Sequence, residues 1–576
     1  MSPYSGVTRE RSYWWIGIFF LAAILWSIGI GRPVDLPNWH EFDYSSIARN
    51  FVREGSNILL PRIDWRGDGP GYTEMEFPLI PWVMAQLYRV FGIHEVIGRI
   101  LSLLFSLGAL WVFSRIALKV LPRFAAMIAT LFLAVNHEML MIATAIQPEA
   151  LMLLCSLLAV YWFLDWYETG SRVSYAGAVV AFSLAMLVKS PAAHLAIFFL
   201  TWALVQDGFA AFRKPKLYLF AALSFLAPLL WYAHAASLWH QFHNSMGVSN
   251  EDHWIGMDML RRPKVVLNLI LIDVAYVFGV GGVLVVFAAV IQGKFRTAAN
   301  RLGLSWWLAA VIYLVVIMRT AGANWAAYYH VVAAPPIALL FAAGIWQAAR
   351  GNKSISWLRI VLWVSLPALL VIGGLLWLDH RDAASLPGVL LEFTAFSPLT
   401  SISMVLTVLA VLVTVRCCSA QEFTMPESAA IPFYVVIGCF TYFMLSFQLA
   451  LGSWKSFALR SPKFEAAVQM RGALRPGALI VASGGICEDA GGHRVAHDAP
   501  NMFYWLDRKG FTTCAGRQSL AELQTDKDRG AQYFVVERDT LQAQPGFDAE
   551  LRAHYQLLKE TKAAELFSLT ANQQSR

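Results

Sequence analysis

The sequence predicts a polytopic α-helical membrane protein that ends in a small α/β domain, and three observations carry that prediction. Of 576 residues, 57% are hydrophobic and only 14% are charged, well outside the balance of a soluble domain. The apolar residues gather into runs of about 20, the length a helix needs to cross the hydrocarbon core. After residue 452 these runs stop, and short apolar segments alternate with polar helix-forming ones, the pattern of strands and helices packed in layers. The net charge of +7 would suggest nucleic acid in a soluble chain. Here it reads as Lys and Arg held on the cytoplasmic side of a membrane, and no nucleic-acid partner is expected.

The first apolar run, Tyr13 to Gly31, follows Arg9 and Arg11. It is too long for a signal-peptide core and no small-residue cleavage site closes it, so it is expected to stay as a span with the N-terminus in the cytoplasm. The same length criterion gives roughly thirteen spans, near 13–31, 97–118, 124–142, 150–166, 173–188, 191–206, 217–235, 270–292, 302–318, 330–348, 357–377, 401–415 and 430–451. With the N-terminus inside, the cytoplasmic connections carry Lys119 and Arg123; Arg172; Arg213, Lys214 and Lys216; Lys294, Arg296 and Arg301; Arg350, Lys353 and Arg359; and Arg416. Each obeys the positive-inside bias, and an odd count places the C-terminus outside.

The outer loops hold the acidic residues. The first, about 32–96, contains Glu41, Asp43, Glu54, Asp64, Asp68, Glu74, Glu76 and Glu95. Within it, Tyr44 to Glu54 and Leu79 to Phe91 have helical spacing and are expected to lie in the interface plane. Pro61, Gly67, Gly69, Pro70 and Gly71 mark turns between them. A second long outer loop, about 236–268, carries His253, Trp254, Arg261 and Arg262. From 453 to 576, Ala478 to Ser483 and Gln532 to Glu537 read as buried strands of a partly parallel sheet. Pro500 to Lys509 and Ser519 to Gln524 read as helices. Cys487 and Cys514 are either a disulfide in an oxidising compartment or two free thiols. Gly484-Gly485 lacks the spacing of a phosphate loop and is set aside. The other four cysteines have no metal-ligand spacing.

Four segments, in order and on the predicted outer side, carry a resemblance: Trp39-x-x-x-Asp43-x-x-x-Ile47-Ala48-Arg49-Asn50-Phe51, Glu74-Met75-Glu76-Phe77-Pro78, Ile146-Gln147-Pro148-Glu149, and Trp325 through Tyr328-Tyr329-His330 to Pro335-Pro336. Together they resemble the bacterial GT-C glycosyltransferases, relatives of the dolichyl-phosphate-mannose protein mannosyltransferases and of the lipid A aminoarabinose transferase. The resemblance implies a GT-C transmembrane catalytic domain over 1–452 and a periplasmic α/β domain over 453–576, in a bacterial inner membrane. It also implies a polyprenyl-phosphate-linked sugar donor, inversion at the sugar carbon, and a membrane-associated lipid, glycan or protein acceptor. No cofactor is expected, although a divalent metal would be compatible. Two positions depart from the family. Many relatives carry a Lys where Phe77 stands, and an Asp where Glu149 stands.

An inverting transfer needs a base for the acceptor proton and a stabiliser for the departing phosphate. Asp43 is the expected base, against the alternative of a solvated or helix-capping carboxylate. Glu76 and Glu149 are expected to position the acceptor or sugar, although an acid in a first helical turn is also favoured by the helix dipole alone. Lys189, in Leu187-Val188-Lys189-Ser190-Pro191, is either a snorkelling cation or a phosphate ligand. Arg261, Arg262 and Arg319 are candidate phosphate ligands, and Glu41, Tyr328, Tyr329 and His330 are expected to line the cavity. A flippase or transporter without chemistry is the alternative. Such proteins usually place polar groups inside their spans and show internal repeats, whereas these spans read as nearly charge-free.

Overall fold

The computed structural model describes residues 12–36, 38–247, 256–279, 282, 286, 297–350, 460–486, 500–515 and 518–570. Helix α1 (Ser12–Ser27) is apolar around its whole circumference, as a helix immersed in lipid and protein must be. The segment after α1 then forms α2 (Trp39–Arg53) and α3 (Leu79–Phe91), so both helices expected there exist. However, α2 does not lie open on an interface: every residue from Glu41 to Phe51 is buried.

The chain continues through α4 (Glu95–Val120), α5 (Arg123–Ala134), α6 (His137–Ile142), α7 (Glu149–Thr169), α8 (Arg172–Val188), α9 (His194–Asp207) and α10 (Pro215–Phe242). Next come α11 (Pro263–Ile272), α12 (Ala298–Val316) and α13 (Ala334–Arg350). Six stretches among the described residues are long and apolar enough to cross a membrane: Glu95–Val120, Glu149–Thr169, Ser190–Arg213, Pro215–Phe242, Ala298–Val316 and Ala326–Trp346. One face of α10 exposes Leu219, Leu223, Leu226 and Leu230, a stripe at helical spacing of the kind that lipid covers.

Two expected spans differ from the sequence reading. The one near 124–142 is broken into α5 and α6. Asn136 sits at the break, where its side-chain oxygen accepts the Glu138 N–H at 3.1 Å and so caps α6, a position for which Asn is favoured. The one near 270–292 starts as α11, then widens into a π-helical turn at Asp273–Phe278. Most of its remainder lies outside the described residues, as do the spans expected at 357–377, 401–415 and 430–451.

The C-terminal segment contains α14 (Pro462–Arg471), β1 (Leu479–Ile486), α15 (Pro500–Leu506), β2 (Lys509–Ala515), α16 (Leu520–Asp528), β3 (Ala531–Glu537), α17 (Arg538–Ala543), α18 (Pro545–His554), β4 (Gln556–Glu560) and β5 (Ala564–Ser568). The sheet order is β2-β1-β3-β5-β4, parallel across β2, β1 and β3 and antiparallel at β5 and β4. The helix expected to reach Lys509 stops at Leu506, because Asp507 takes a left-handed φ of 53° that ends the helix. Cys514 is disulfide-bonded, and Cys487 lies outside the described residues.

This sheet is seated on the segment that carries α2. At the edge strand β2, the Gly67 N–H donates to Gly510 O at 2.6 Å and the Gly510 N–H donates to Asp64 O at 3.2 Å. Ion pairs join Lys509 to Glu54 and Arg529 to Asp68. On α15, the Trp505 ring meets Phe42 of α2 edge-on, with centroids 5.1 Å apart. The Trp505 indole N–H donates to Val34 O.

Candidate active site

Helix α2 places Glu41 and Asp43 within one turn, and the two carboxylates have different surroundings. Glu41 is 1% exposed. Arg99 of α4 grips it with two nitrogens at 2.8 and 3.0 Å, Arg32 reaches it at 2.9 Å, and the Ile146 N–H donates at 3.1 Å. Burial alone would raise its pKa; Arg32, Arg99 and the backbone donor overcome that and hold it down to about 2. Glu41 therefore ties α2 to α4 and to the turn before α7. Asp43 is 9% exposed and accepts the Trp65 indole N–H at 3.1 Å. Its place inside the helix removes the reading of it as a cap.

The turn before α3 carries Glu76. The Phe77 N–H donates to Leu187 O at 2.9 Å, which pins this turn to the end of α8. Phe77 itself packs edge-on against Trp231 of α10, with centroids 5.0 Å apart, so the residue that replaces the relatives' Lys serves packing. A cation is nevertheless present. Lys189, at the end of α8, is 1% exposed. Its Nζ lies 2.6 Å from Glu149 Oε1 and 3.8 Å from Glu76 Oε1. Below it are the rings of Tyr328 and Tyr329, at 5.1 and 5.5 Å from the ammonium, a cation–π arrangement.

Helix α2 closes this cluster from above. The Tyr44 hydroxyl faces Glu76 Oε2 at 3.4 Å, and His40 Nε2 meets the Tyr328 hydroxyl at 2.9 Å. Burial, and then the Lys189 ammonium, push the His40 pKa down to about 3, so this imidazole is neutral. Burial and Glu76 push the Tyr44 phenol up. The sequence reading did not single out His40 or Tyr44. Its motif contained both, and the helical spacing of His40, Asp43 and Tyr44 puts all three on one face.

Glu76, Glu149, Lys189, Tyr328 and Tyr329 are thus gathered together. Other expected site residues have different surroundings. Arg261 and Arg262 are exposed on the turn before α11. Arg319 pairs with Asp258, one nitrogen lying 3.0 Å from each carboxylate oxygen. Its Nε and Nη1 are buried and have no acceptor among the described residues. His330 turns away from Lys189: its Nδ1 meets Asp273 at 2.7 Å and its Nε2 faces Ala321 O at 2.9 Å. No group of three His, Cys, Asp or Glu among the described residues is placed to hold a metal ion. The sequence reading also passed over Arg99, Glu138 and Asp273, although each is a charge within a run read as a span, and intramembrane charge is itself a signal.

Comparison with known proteins places this arrangement in a fold. Residues 70–232 match the family described as dolichyl-phosphate-mannose-protein mannosyltransferase. No curated protein matches the chain by sequence. Among solved structures, ArnT from Cupriavidus metallidurans bound to undecaprenyl phosphate superposes with a TM-score of 0.62 at 15% identity, over 98% of this chain and 99% of that one. The Archaeoglobus fulgidus oligosaccharyltransferase in its apo form gives 0.53 at 12% identity, over 92% of this chain and 70% of that one. The archaeal oligosaccharyltransferase AglB from Archaeoglobus fulgidus in complex with an inhibitory peptide and a dolichol-phosphate gives 0.50 at 12% identity, over 92% of this chain and 70% of that one. The chain is a multi-pass membrane protein with the GT-C glycosyltransferase fold.

Proposed function

We propose that this GT-C protein is an inverting glycosyltransferase that moves a sugar from a polyprenyl-phosphate carrier to an acceptor at the periplasmic face of a bacterial inner membrane. The acceptor is an envelope glycolipid such as lipid A, a glycan or a protein. The N-terminus faces the cytoplasm, residues 1–452 are the catalytic domain and 453–576 a periplasmic α/β domain. The observation that carries this reading is Lys189, an ammonium buried between two carboxylates and two tyrosine faces. A buried cation outnumbered by carboxylates is a functional-site candidate, and it supports a ligand that uses the charge.

In this reading the acceptor hydroxyl oxygen bonds to the anomeric carbon as the bond from that carbon to the phosphate oxygen breaks. Asp43 takes the hydroxyl proton, and the polyprenyl phosphate departs with the electron pair. Lys189 stabilises the charge that grows on the phosphate. The buried, unmatched nitrogens of Arg319 add two donors of the geometry phosphate takes, with Arg261 and Arg262 at the rim. Glu76 and Glu149 accept hydrogen bonds from sugar or acceptor hydroxyls, and the surface of Tyr328 and Tyr329 supports the ring.

The test follows radiolabel from lipid-linked sugars into lipid and protein fractions of envelope membranes, comparing the unaltered protein with Asp43→Asn at matched expression. Loss of a general base costs about 10²- to 10⁴-fold, so label should reach an acceptor only with Asp43 intact. Normal transfer by Asp43→Asn would remove Asp43 as the base. No transfer by the unaltered protein from any lipid-linked sugar would favour a flippase.

A further inference from the structure

We propose that Trp65 is a positioning residue for Asp43, and that edge strand β2 of the C-terminal sheet holds Trp65 in place. The proposal rests on the reading of Asp43 as the base. The Trp65 indole N–H donates to Asp43 Oδ1 at 3.1 Å. A donor on one oxygen restricts the carboxylate rotamer.

Trp65 sits in a backbone that is held on both sides. Before it, Asp64 is buried: Arg49 Nη2 reaches one of its oxygens at 2.6 Å and Asn50 Nδ2 the other at 2.8 Å. Both partners project from α2, the helix that carries Asp43. After it, Gly67 donates to Gly510 O, and Gly510 donates back to Asp64 O. Residues 64–67 are thus tied to the edge of β2 by two backbone hydrogen bonds to Gly510, with Trp65 between them. Gly510 has a φ of +150°, and a Cβ there would fall 1.8 Å from Ile480 O. Only glycine lets β2 lie between β1 and this loop.

The same strand and the turn before it also grip α2. Asp507 pairs with Arg49 at 2.9 Å and with Arg53 at 2.7 Å, and the Arg49 guanidinium lies over the Tyr504 ring at 4.8 Å. Arg49 therefore touches Asp64 and the C-terminal segment at once. The position of Asp43 and that of its indole donor are both referred to β2 and the turn before it. The C-terminal segment acts on the reaction without touching substrate.

The experiment uses full-length protein in lipid nanodiscs and compares Trp65→Phe, Trp65→His and Asp43→Asn. Phe keeps the ring and loses the donor. His is smaller, and its Nε2 superposes on the indole Nε1, so it keeps a donor. Transfer kcat should fall roughly 10- to 100-fold in Trp65→Phe, the size of effect a misplaced reacting group has. KM for the lipid-linked sugar should stay unchanged. Loss of a donor to the ionised form raises a carboxyl's pKa, so the acidic limb of the kcat profile should move to higher pH. At pH 7.5 Trp65→His should be faster than Trp65→Phe. If Trp65 acts by packing alone, the order reverses, because Phe fills the space better, and the proposal falls. A Trp65→Phe profile that overlays the unaltered protein, with Asp43→Asn inactive, overturns this inference and leaves the base assignment standing. An active Asp43→Asn overturns both.

Discussion

Two buried charge clusters meet α2, and their make-up is opposite. At Glu41, two guanidiniums and a backbone N–H converge on one carboxylate. At Lys189, one ammonium is shared by two carboxylates. The first cluster is completed by the chain itself and joins α2 to α4. The second holds more acceptors than the chain supplies charge for, beside aromatic faces, and suits a ligand rich in hydroxyl donors. Burial alone does not separate a structural acid from a functional one, since both clusters are buried. The ratio of cations to carboxylates does.

Arg99→Met should have the largest effect on stability. Removing one partner from a buried pair costs about 3–5 kcal/mol, so the thermal midpoint in detergent should drop and yield should fall. Transfer per folded molecule should hardly change. An unchanged midpoint would mean that Arg32 alone completes Glu41, which would weaken the contrast between the clusters.

Lys189→Met should lower transfer per folded molecule as well as stability, since it too removes one partner of a buried pair. Loss of a stabiliser of developing phosphate charge costs about 10²- to 10³-fold in kcat. Lys189→Arg keeps the charge and should recover part of that loss. Normal transfer by Lys189→Met would assign the ammonium to structure, as at Glu41.

Between the two carboxylates at Lys189 the effects should differ in size. Glu149 lies 2.6 Å from the ammonium and Glu76 3.8 Å. Double-mutant cycles on thermal stability with Lys189→Met should give a larger coupling energy for Glu149→Gln, within the range of about 0.5–3 kcal/mol seen for contacting residues. Equal couplings would make the ammonium evenly shared, and the cluster symmetrical where these distances make it lopsided.

Much of this layout could be read in the sequence, because local patterns produce it. Apolar run length gave the long helices, and helical spacing in 44–54 and 79–91 gave α2 and α3. The apolar stretches at 478–483 and 532–537 are β1 and β3. The pairings were hidden. Glu41 meets Arg99 across 58 residues, and Arg53 meets Asp507 across 454. No periodicity reports contacts of that range. Trp65 drew no notice because an indole in an outer loop of a membrane protein is ordinarily an interface anchor. Arg99 and Glu138 were legible in principle, as charges set in apolar runs, and were hidden by treating the spans as charge-free.

The last predicted effect separates the two clusters by pH. The His40 pKa lies at about 3 in the fold, against 6.5 for a free imidazole, through burial and then Lys189. The disrupted chain therefore takes up a proton below pH 6.5 that the folded protein refuses. Stability is full above that pH and falls as the pH drops from 6.5 toward 3, by up to about 1.4 kcal/mol per unit. Glu41 has a depressed carboxyl pKa of about 2, against 4.5, so its contribution is lost in a lower window, from 4.5 down. His40→Gln cannot titrate, and its side-chain oxygen can still accept from the Tyr328 hydroxyl. Its thermal midpoint should decline less than that of the unaltered protein from pH 6.5 down to about 3, and the window from 6.5 to 4.5 isolates His40 because Glu41 has not begun to titrate there. Identical slopes in the upper window would mean that the imidazole carries its proton beside Lys189, and the second cluster would then hold as many cations as carboxylates.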